Sequence, residues 1–261
     1  MFNWYFASGD LDFFWNEQLR ALSWLPHIFQ KDQGFGYNGL LSLWLDYPFR
    51  LLLKFFSTIG LSWFLIEKLL WLSVFILAIY SSYRLARYVL GKTLFIYLAP
   101  LIYTANTYIL LLFSGGQLGV AWAYAFSPWV LLQFVEAIDS QKKTVWRMTI
   151  RNGLFFSLLV VFDLRLAYLT LLMIGFWLLI HALYEKKYLV NRLFEIGVSL
   201  VVAGSVHIFW ILPTVLASTG VASKGETFTS PGMLAFLSFA DFSHTLSFLH
   251  PNWPENLFGK V

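Results

Sequence analysis

Long apolar segments separated by short polar ones are the main pattern of this chain. A helix that crosses the hydrocarbon core of a bilayer needs about 20 mostly apolar residues. Five segments come close to this length, at residues 61–83, 93–113, 118–138, 166–184 and 196–216. The turn sequence Ser114-Gly115-Gly116-Gln117 separates the second from the third. The pattern therefore predicts an all-α, polytopic transmembrane bundle.

A sixth segment, 146–162, is ambiguous because its uncharged part is short for a span. The basic residues form three cationic loops: Arg84, Arg87 and Lys92; Lys142, Lys143, Arg147 and Arg151; and Lys186, Lys187 and Arg192. The positive-inside rule places all three loops in the cytoplasm, so an even number of spans must separate the second from the third. We therefore predict about six spans, with an external turn at 163–165 and a sixth span that is short, tilted or partly re-entrant.

The composition supports a membrane protein and excludes several other classes. Only 12% of the 261 residues are charged and 59% are hydrophobic, whereas a soluble domain is about 25% charged. The absence of cysteine excludes disulfides, thiolate metal sites and a cysteine nucleophile. No nucleotide-binding or hydrolase motif is present. Because the basic residues are spread over three loops, they favour the anionic cytoplasmic face of a lipid bilayer over nucleic acid.

The spans divide the chain into three parts, which we expect to be an extracytoplasmic loop at 1–60, a transmembrane region at 61–216 and a second extracytoplasmic loop at 217–261. The chain begins in one polar loop and stops in another. We therefore expect it to be the amino-terminal part of a larger protein, with the second loop truncated.

The first loop contains two patterns that are typical of interfacial helices. Residues 12–25 read as a helix that Asp10 or Asp12 can cap and that Pro26 ends. A second helix has Pro48 in its first turn, and Asp46, Arg50 and Lys54 form one polar stripe on an otherwise apolar rod. We expect both helices to lie in the membrane interface.

Several short motifs resemble the GT-C superfamily of membrane glycosyltransferases. Gly9-Asp10-Leu11-Asp12 and Asp46-Tyr47-Pro48 are similar to that group's first external loop. Further segments also resemble it, namely 99–106, 114–116, 163–168 and 209–213. The most similar subgroup is the arabinofuranosyltransferase-like membrane proteins of bacteria and their archaeal relatives. The resemblance implies transfer of a sugar from a polyprenyl-phosphate donor to an extracytoplasmic glycan or lipid acceptor at the plasma membrane.

The resemblance makes Asp10 and Asp12 the candidate catalytic residues. A carboxylate just outside the membrane can act as a general base on an acceptor hydroxyl, or can hold a divalent cation such as Mg²⁺ or Mn²⁺ that neutralises the departing phosphate. By spacing alone, a helix N-cap is the better interpretation of both residues. No His or carboxylate cluster with ligand spacing supports a metal.

Four other polar residues are candidates for substrate binding. Arg165, beside Asp163, can grip a lipid phosphate, although a local pair with Asp163 or snorkelling toward water also explains it. Arg50 competes for this role but has Asp46 as a helix partner. Gln117 can hydrogen-bond a sugar or satisfy a helix end. His207, inside an apolar segment, is expected to be neutral and hydrogen-bonded to a neighbouring helix.

Two other functions stay open at this point. A transporter or flippase for a lipid-linked or polar solute would use broken helices and intramembrane ionisable groups, of which the Asp163–Arg165 break is a weak sign. A non-catalytic membrane scaffold is the third. The large acidic first loop favours the enzyme over both.

Overall fold

The computed structural model describes residues 15–25, 29–30, 37–38, 47–140, 146–184 and 189–216. Two short strands, β1 at Phe29–Gln30 and β2 at Tyr37–Asn38, pair antiparallel. A 3₁₀ turn covers Leu94–Tyr97. The α-helices in these ranges are α1 Asn16–Ala21, α2 Tyr47–Thr58, α3 Trp63–Leu90, α4 Leu98–Thr104, α5 Thr107–Ser114, α6 Leu118–Asp139, α7 Trp146–Phe162, α8 Leu164–Tyr184, α9 Leu189–Val206 and α10 Ile208–Leu216.

Five helical stretches within the described residues are long and apolar enough to cross a membrane. They are Trp63–Leu90, Leu94–Ser114, Leu118–Asp139, Leu164–Tyr184 and Leu189–Val206. Helix α7 has 17 residues, which is about 25 Å of helix and shorter than a hydrocarbon core of about 30 Å. Apart from the two short strands, the predicted helical architecture with several spans is confirmed. The count of six spans stays a prediction.

The span predicted at 93–113 is present as the stretch Leu94–Ser114, but it is broken between α4 and α5 and is not a single helix. Asn106 lies in the break, and its side chain forms hydrogen bonds with backbone groups on both sides of it. Its Oδ1 accepts a hydrogen bond from the backbone N of Ile109 at 3.0 Å. Its Nδ2 donates to the carbonyl oxygens of Ile102 and Tyr103, at 3.1 and 2.8 Å. An asparagine side chain competes with the helix in this way, and it satisfies backbone groups that an apolar surrounding would leave unpaired.

The carboxylate of Asp139 brings one end of three helices together. Oδ2 accepts a hydrogen bond from the hydroxyl of Tyr88, in the last turns of α3, at 2.8 Å. Oδ1 accepts one from the indole N–H of Trp177, in the second half of α8, at 2.9 Å. We call this the Asp139 end of the bundle. Most of the described lysines and arginines that follow α2 lie near it in sequence, in the last turns of α3, just after α3, and in the first turns of α7 and α9, whereas Lys68 and Arg165 do not.

The opposite end of the bundle, which we call the Asp163 end, contains the turns between α5 and α6 and between α7 and α8. A Cβ placed on Gly119, in the first turn of α6, would lie 3.2 Å from the carbonyl oxygen of Phe162. The rings of Trp122 and Phe162 are 5.2 Å apart between centroids. The turn predicted at 163–165 is therefore present as a helix-to-helix turn beside the glycine turn that precedes α6, and its external position stays a prediction.

All three predicted cationic loops are shorter than the sequence pattern indicated, because helices include some of their basic residues. Arg84 and Arg87 belong to α3, and Arg147 and Arg151 belong to α7. Arg192, assigned to the third loop, lies buried in α9, where its Nη1 is 2.6 Å from Oε2 of Glu195. The span predicted at 196–216 is wrong in its bounds, because α9 covers Leu189–Val206 and the chain turns at His207 before α10.

Helices α7 and α9 approach each other closely at Gly153. A Cβ on Gly153 would lie 2.6 Å from the carbonyl oxygen of Ser199 and 2.7 Å from Cβ of Val202. The hydroxyl of Ser199 donates to the carbonyl oxygen of Thr149 at 2.9 Å and so joins the same two helices. Small residues allow this kind of backbone approach between helices in membranes.

The two helices of the first loop pack on each other and on the bundle. Nζ of Lys54 donates to the carbonyl oxygen of Arg20 at 2.5 Å, so Lys54 ties α2 to α1 and does not belong to a purely solvated stripe. Leu19 and Leu53 are fully buried in one hydrophobic cluster with residues of α3, α5 and α6. Helix α1 ends at Ala21, earlier than Pro26 predicted, because Ser23 accepts a local hydrogen bond from Leu25. The interfacial position of both helices stays a prediction.

Candidate functional site

Asp163 is the centre of the turn between α7 and α8. It is only 7% exposed, and its Oδ1 accepts a hydrogen bond from the backbone N of Leu166 at 2.9 Å. An aspartate in this position caps the start of α8. Its carboxylate also binds Arg165: Oδ2 accepts from Nε at 3.1 Å and from Nη2 at 2.8 Å. One buried carboxylate therefore both starts the helix and fixes the plane of the guanidinium.

Arg165 reaches out of the bundle although Asp163 holds it. Its side chain is 74% exposed. Within the described part of the chain its Nη1 makes no hydrogen bond, since both of its bonds to Asp163 use Nε and Nη2. A guanidinium that is held on one edge and open on the other can bind an oxyanion such as a phosphate with little loss of side-chain freedom. The local pair that the sequence allowed is present, and it is compatible with anion binding.

Tyr108, which the sequence analysis did not single out, lies close to this turn. Its side chain interacts electrostatically with both Asp163 and Arg165. Its ring packs against Tyr124 with centroids 5.3 Å apart, and 43% of the residue is exposed. Tyr108 is the second residue of α5 and belongs to no recognisable sequence motif. Its place near the site therefore becomes visible only from the packing of α5 on α6.

The ring of Tyr124 is itself fixed from the other side. Tyr103 and Tyr124 stack with centroids 4.2 Å apart, and each hydroxyl donates to the other residue's carbonyl oxygen, at 2.7 and 2.8 Å. The amide of Asn106 donates to the hydroxyl of Tyr124 at 2.9 Å. Tyr108 therefore rests on a rigid aromatic support that connects the broken helix to α6.

Gln117 and Arg50 belong to other elements at this end. Gln117 directly precedes α6 and is half-buried, and its side chain does not cap that helix. Its backbone N donates to the carbonyl oxygen of Leu112 at 2.9 Å, which closes the turn. Arg50 is half-buried on α2, one turn before the buried Leu53. The structure thus brings Asp163 and Arg165 together, and it places Gln117 and Arg50 on two further elements.

The catalytic candidates Asp10 and Asp12 lie outside the described residues. Within the described ranges there is no group of three or more His, Asp or Glu residues that could hold a metal ion. The prediction of a divalent cation bound by Asp10 and Asp12 is therefore neither supported nor contradicted.

The chain was also compared with known proteins. Neither family models, nor curated proteins, nor solved structures gave a match.

His207 is a fully satisfied structural residue at the turn between α9 and α10. Its Nδ1 accepts a hydrogen bond from the indole N–H of Trp210 at 2.8 Å. That assigns the ring proton to Nε2, which lies 3.0 Å from the carbonyl oxygen of Ser157 on α7. A neutral histidine with both nitrogens in use holds α7, α9 and α10 together, as expected for a hydrogen bond between neighbouring helices.

A second polar cluster lies toward the Asp139 end, where α6, α7 and α9 meet. A small cavity there has a volume of about 20 Å³. Its lining includes Asn152, Arg192 and Glu195. Asn152 is 2% exposed. Its Nδ2 donates to the carbonyl oxygen of Gln133 at 3.2 Å, whereas its Oδ1 has no hydrogen-bond partner within the described residues. The cavity is large enough for one water that satisfies this oxygen. The sequence analysis did not predict this cluster, because it assigned Arg192 to a cationic loop.

Proposed function

We propose that the protein acts as a GT-C-type membrane glycosyltransferase that moves a sugar from a polyprenyl-phosphate donor to an extracytoplasmic glycan or lipid acceptor. The observation that carries the proposal is the guanidinium of Arg165, fixed by the buried Asp163 and open at the Asp163 end. This is the arrangement that a phosphate-bearing lipid requires at a membrane surface, namely a cation that is held in place and still accessible.

The side of the membrane follows from the basic residues. Most described lysines and arginines outside the first loop lie toward the Asp139 end, and the cationic segments at 141–145 and 185–188 adjoin these helices in the sequence. The positive-inside rule assigns that end to the cytoplasm. The Asp163 end, with Arg165 and the glycine turn before α6, then faces the extracytoplasmic side, as does the first loop that contains Asp10 and Asp12.

The proposed roles follow from the chemistry of transfer. Asp10 removes a proton from the acceptor hydroxyl or binds a divalent cation, and Asp12 supports it. Arg165 binds the donor phosphate and stabilises the negative charge that grows as the sugar leaves. Asp163 positions Arg165, whereas Gln117 and Arg50 contact the sugar or the acceptor from neighbouring elements.

The test uses the full-length protein in its own membrane, with sugar transfer and protein abundance measured together. We expect Asp10→Asn to accumulate normally and to lose on the order of a hundredfold in rate, because asparagine supplies neither a base nor a charge. Asp12→Asn should be less affected. If the Asp10→Asn variant transferred sugar at the full rate, Asp10 would not be catalytic and would serve only as a helix cap.

Arg165 has a matched control at the other end of the bundle. Arg165→Gln should lose transfer, whereas Arg147→Gln, which removes an exposed arginine from the first turn of α7, should keep it. Arg165→Lys should recover only part of the rate, because an ammonium cannot use the fork geometry that Asp163 fixes. Equal loss in the Arg165→Gln and Arg147→Gln variants would indicate a general effect of charge and not a phosphate site.

A transporter or flippase for a lipid-linked or polar solute is the second candidate. The buried pair Arg192–Glu195 and the polar cavity beside it favour this function, since ionisable groups inside a membrane bundle often mark a solute path. The two functions differ in a direct assay. Proteoliposomes with a labelled lipid-linked sugar show movement between leaflets if the protein is a flippase, and a new glycosidic product if it is the enzyme.

A further inference from the structure

The polar cavity between α6, α7 and α9 is built from groups that the site at the Asp163 end does not use. Helices α7 and α9 contribute Asn152, Arg192 and Glu195 to its lining. These residues are deeply buried, with exposures of 2%, 3% and 7%. Met148, in the first turn of α7, lines the cavity as well. Buried polar and charged groups around a cavity in a membrane bundle are a candidate binding site.

The amide of Asn152 has one hydrogen-bond acceptor left for a ligand. Its Nδ2 donates to the carbonyl oxygen of Gln133 at 3.2 Å, and its Oδ1 has no hydrogen-bond partner among the residues that the structure describes. Turning the amide over would bring Oδ1 against that carbonyl oxygen, so α6 fixes its orientation. Because a buried oxygen without a donor is costly, the ligand of this cavity must donate a hydrogen bond.

The charges beside the cavity balance each other. Nη1 of Arg192 lies 2.6 Å from Oε2 of Glu195, and the two side chains are 3% and 9% exposed. A cation in the cavity would give this buried cluster a net positive charge. An anion would give it a net negative charge and would also meet Oδ1 of Asn152. Since an uncompensated buried charge is strongly destabilising, the ligand must be neutral.

From these constraints we propose that the cavity is a binding site for one water molecule and excludes ions. The water donates a hydrogen bond to Oδ1 of Asn152 and completes its bonding with the Arg192–Glu195 pair. The volume of about 20 Å³ suits a single water, which needs about 10–15 Å³ for its centre. The water joins α7 to α9, while Nδ2 of the same amide joins α7 to α6. This role does not depend on whether the protein transfers a sugar or moves a solute.

Met148 provides a reporter for this water. Short X-ray pulses split water into hydroxyl radicals, so a bound water oxidises the methionine beside it, which mass spectrometry detects. The sample is the full-length protein in nanodiscs of phosphatidylcholine. We expect Met148 to be oxidised severalfold faster than Met173, which is 59% exposed but lies within the apolar span α8 and therefore meets lipid. Equal oxidation of the two methionines would overturn the water site.

A variant of Asn152 separates the bound water from bulk solvent. Asn152→Leu keeps the branched shape and removes the acceptor, so oxidation of Met148 should fall severalfold while that of Met173 stays the same. Ser157→Ala is the control, because it removes another buried polar group of α7 that does not line the cavity, and it should leave Met148 unchanged. Undiminished oxidation of Met148 in Asn152→Leu, or an equal fall in Ser157→Ala, would overturn the proposal.

Two measurements on the wild-type protein decide the ligand even if Asn152→Leu fails to accumulate. A density map that resolves waters should show one peak within about 3.2 Å of Oδ1 of Asn152, and the lack of a peak there would overturn the site. The melting temperature should be the same in sodium, potassium and choline salts at one ionic strength, and in chloride and gluconate. A shift that is specific to one ion would identify an ion site and overturn the assignment to water.

Discussion

The contact at Gly153 gives the sharpest prediction for the stability of the fold. A methyl group at this position would lie 2.6 Å from the carbonyl oxygen of Ser199 and 2.9 Å from Cγ1 of Val202. Cβ atoms do not approach backbone oxygens closer than about 3 Å, and the nearest atom here is backbone, which cannot rotate away as a side chain can. Gly153→Ala must therefore push α9 away from α7.

The size of the effect follows from two opposing contributions. Replacing glycine by alanine inside a helix favours folding by about 0.5–1 kcal/mol. Overpacking a close contact costs about 1–3 kcal/mol, and the separation of the helices also strains the bond from the Ser199 hydroxyl to the carbonyl of Thr149. We expect a net loss of about 1–2 kcal/mol for Gly153→Ala, and a larger loss for Gly153→Val.

The assay is reversible unfolding of the purified protein in detergent, and two glycines of α9 provide the control. A Cβ on Gly197 or Gly204 would meet nothing within 4 Å, so alanine there should be neutral or slightly stabilising. The difference between Gly153→Ala and Gly197→Ala isolates the clash, because both gain the same helix propensity. If the two variants were equally stable, the close approach of α7 and α9 would be incorrect.

Three further predictions concern the ends of the bundle. Glu195→Ala should destabilise the fold by about 3–5 kcal/mol in the same unfolding assay, because it leaves Arg192 buried without its carboxylate, and adding Arg192→Met should restore most of the loss; a double variant no better than the single one would contradict this. Tyr88→Phe should cost about 1 kcal/mol by removing one donor to the carboxylate that joins α3 and α6, and an unchanged stability would show that this bond does not hold the helices. In intact cells an impermeant maleimide should label Ser114→Cys and not Arg147→Cys, since the chain has no other cysteine; the reverse pattern would invert the proposed orientation.

The apolar pattern predicted most of the helices, because length and charge decide whether a segment can cross a bilayer. It also predicted the turn at Asp163, since two short spans were needed to keep the basic segments on one side. The pattern failed where a polar residue is neutralised by a neighbour that the sequence does not show. Arg192 read as part of a loop because its pairing with Glu195 inside α9 is a matter of side-chain geometry.

The candidate site was predicted only in part. Asp163 and Arg165 were singled out from their position at a turn, and the structure brings them into contact. Tyr108 could not be found in this way, because its position depends on the break at Asn106 and on the packing of its ring against Tyr124. Neither feature has a local signal, since asparagine and tyrosine in an apolar helix are equally compatible with an unbroken one.

The hydrogen bonds of Asp139 also have a consequence for the order in which the protein is made. Tyr88 precedes Asp139 by 51 residues, and Trp177 follows it by 38. At a synthesis rate of 5–20 residues per second, Trp177 emerges about 2–8 s after the carboxylate that it binds. During that interval only the first of the two donors has been synthesised, so we expect α3 and α6 to associate before α8 joins them. The hydrogen bonds of Asp139, which join α3 and α6, are completed only by Trp177, which is synthesised after α7.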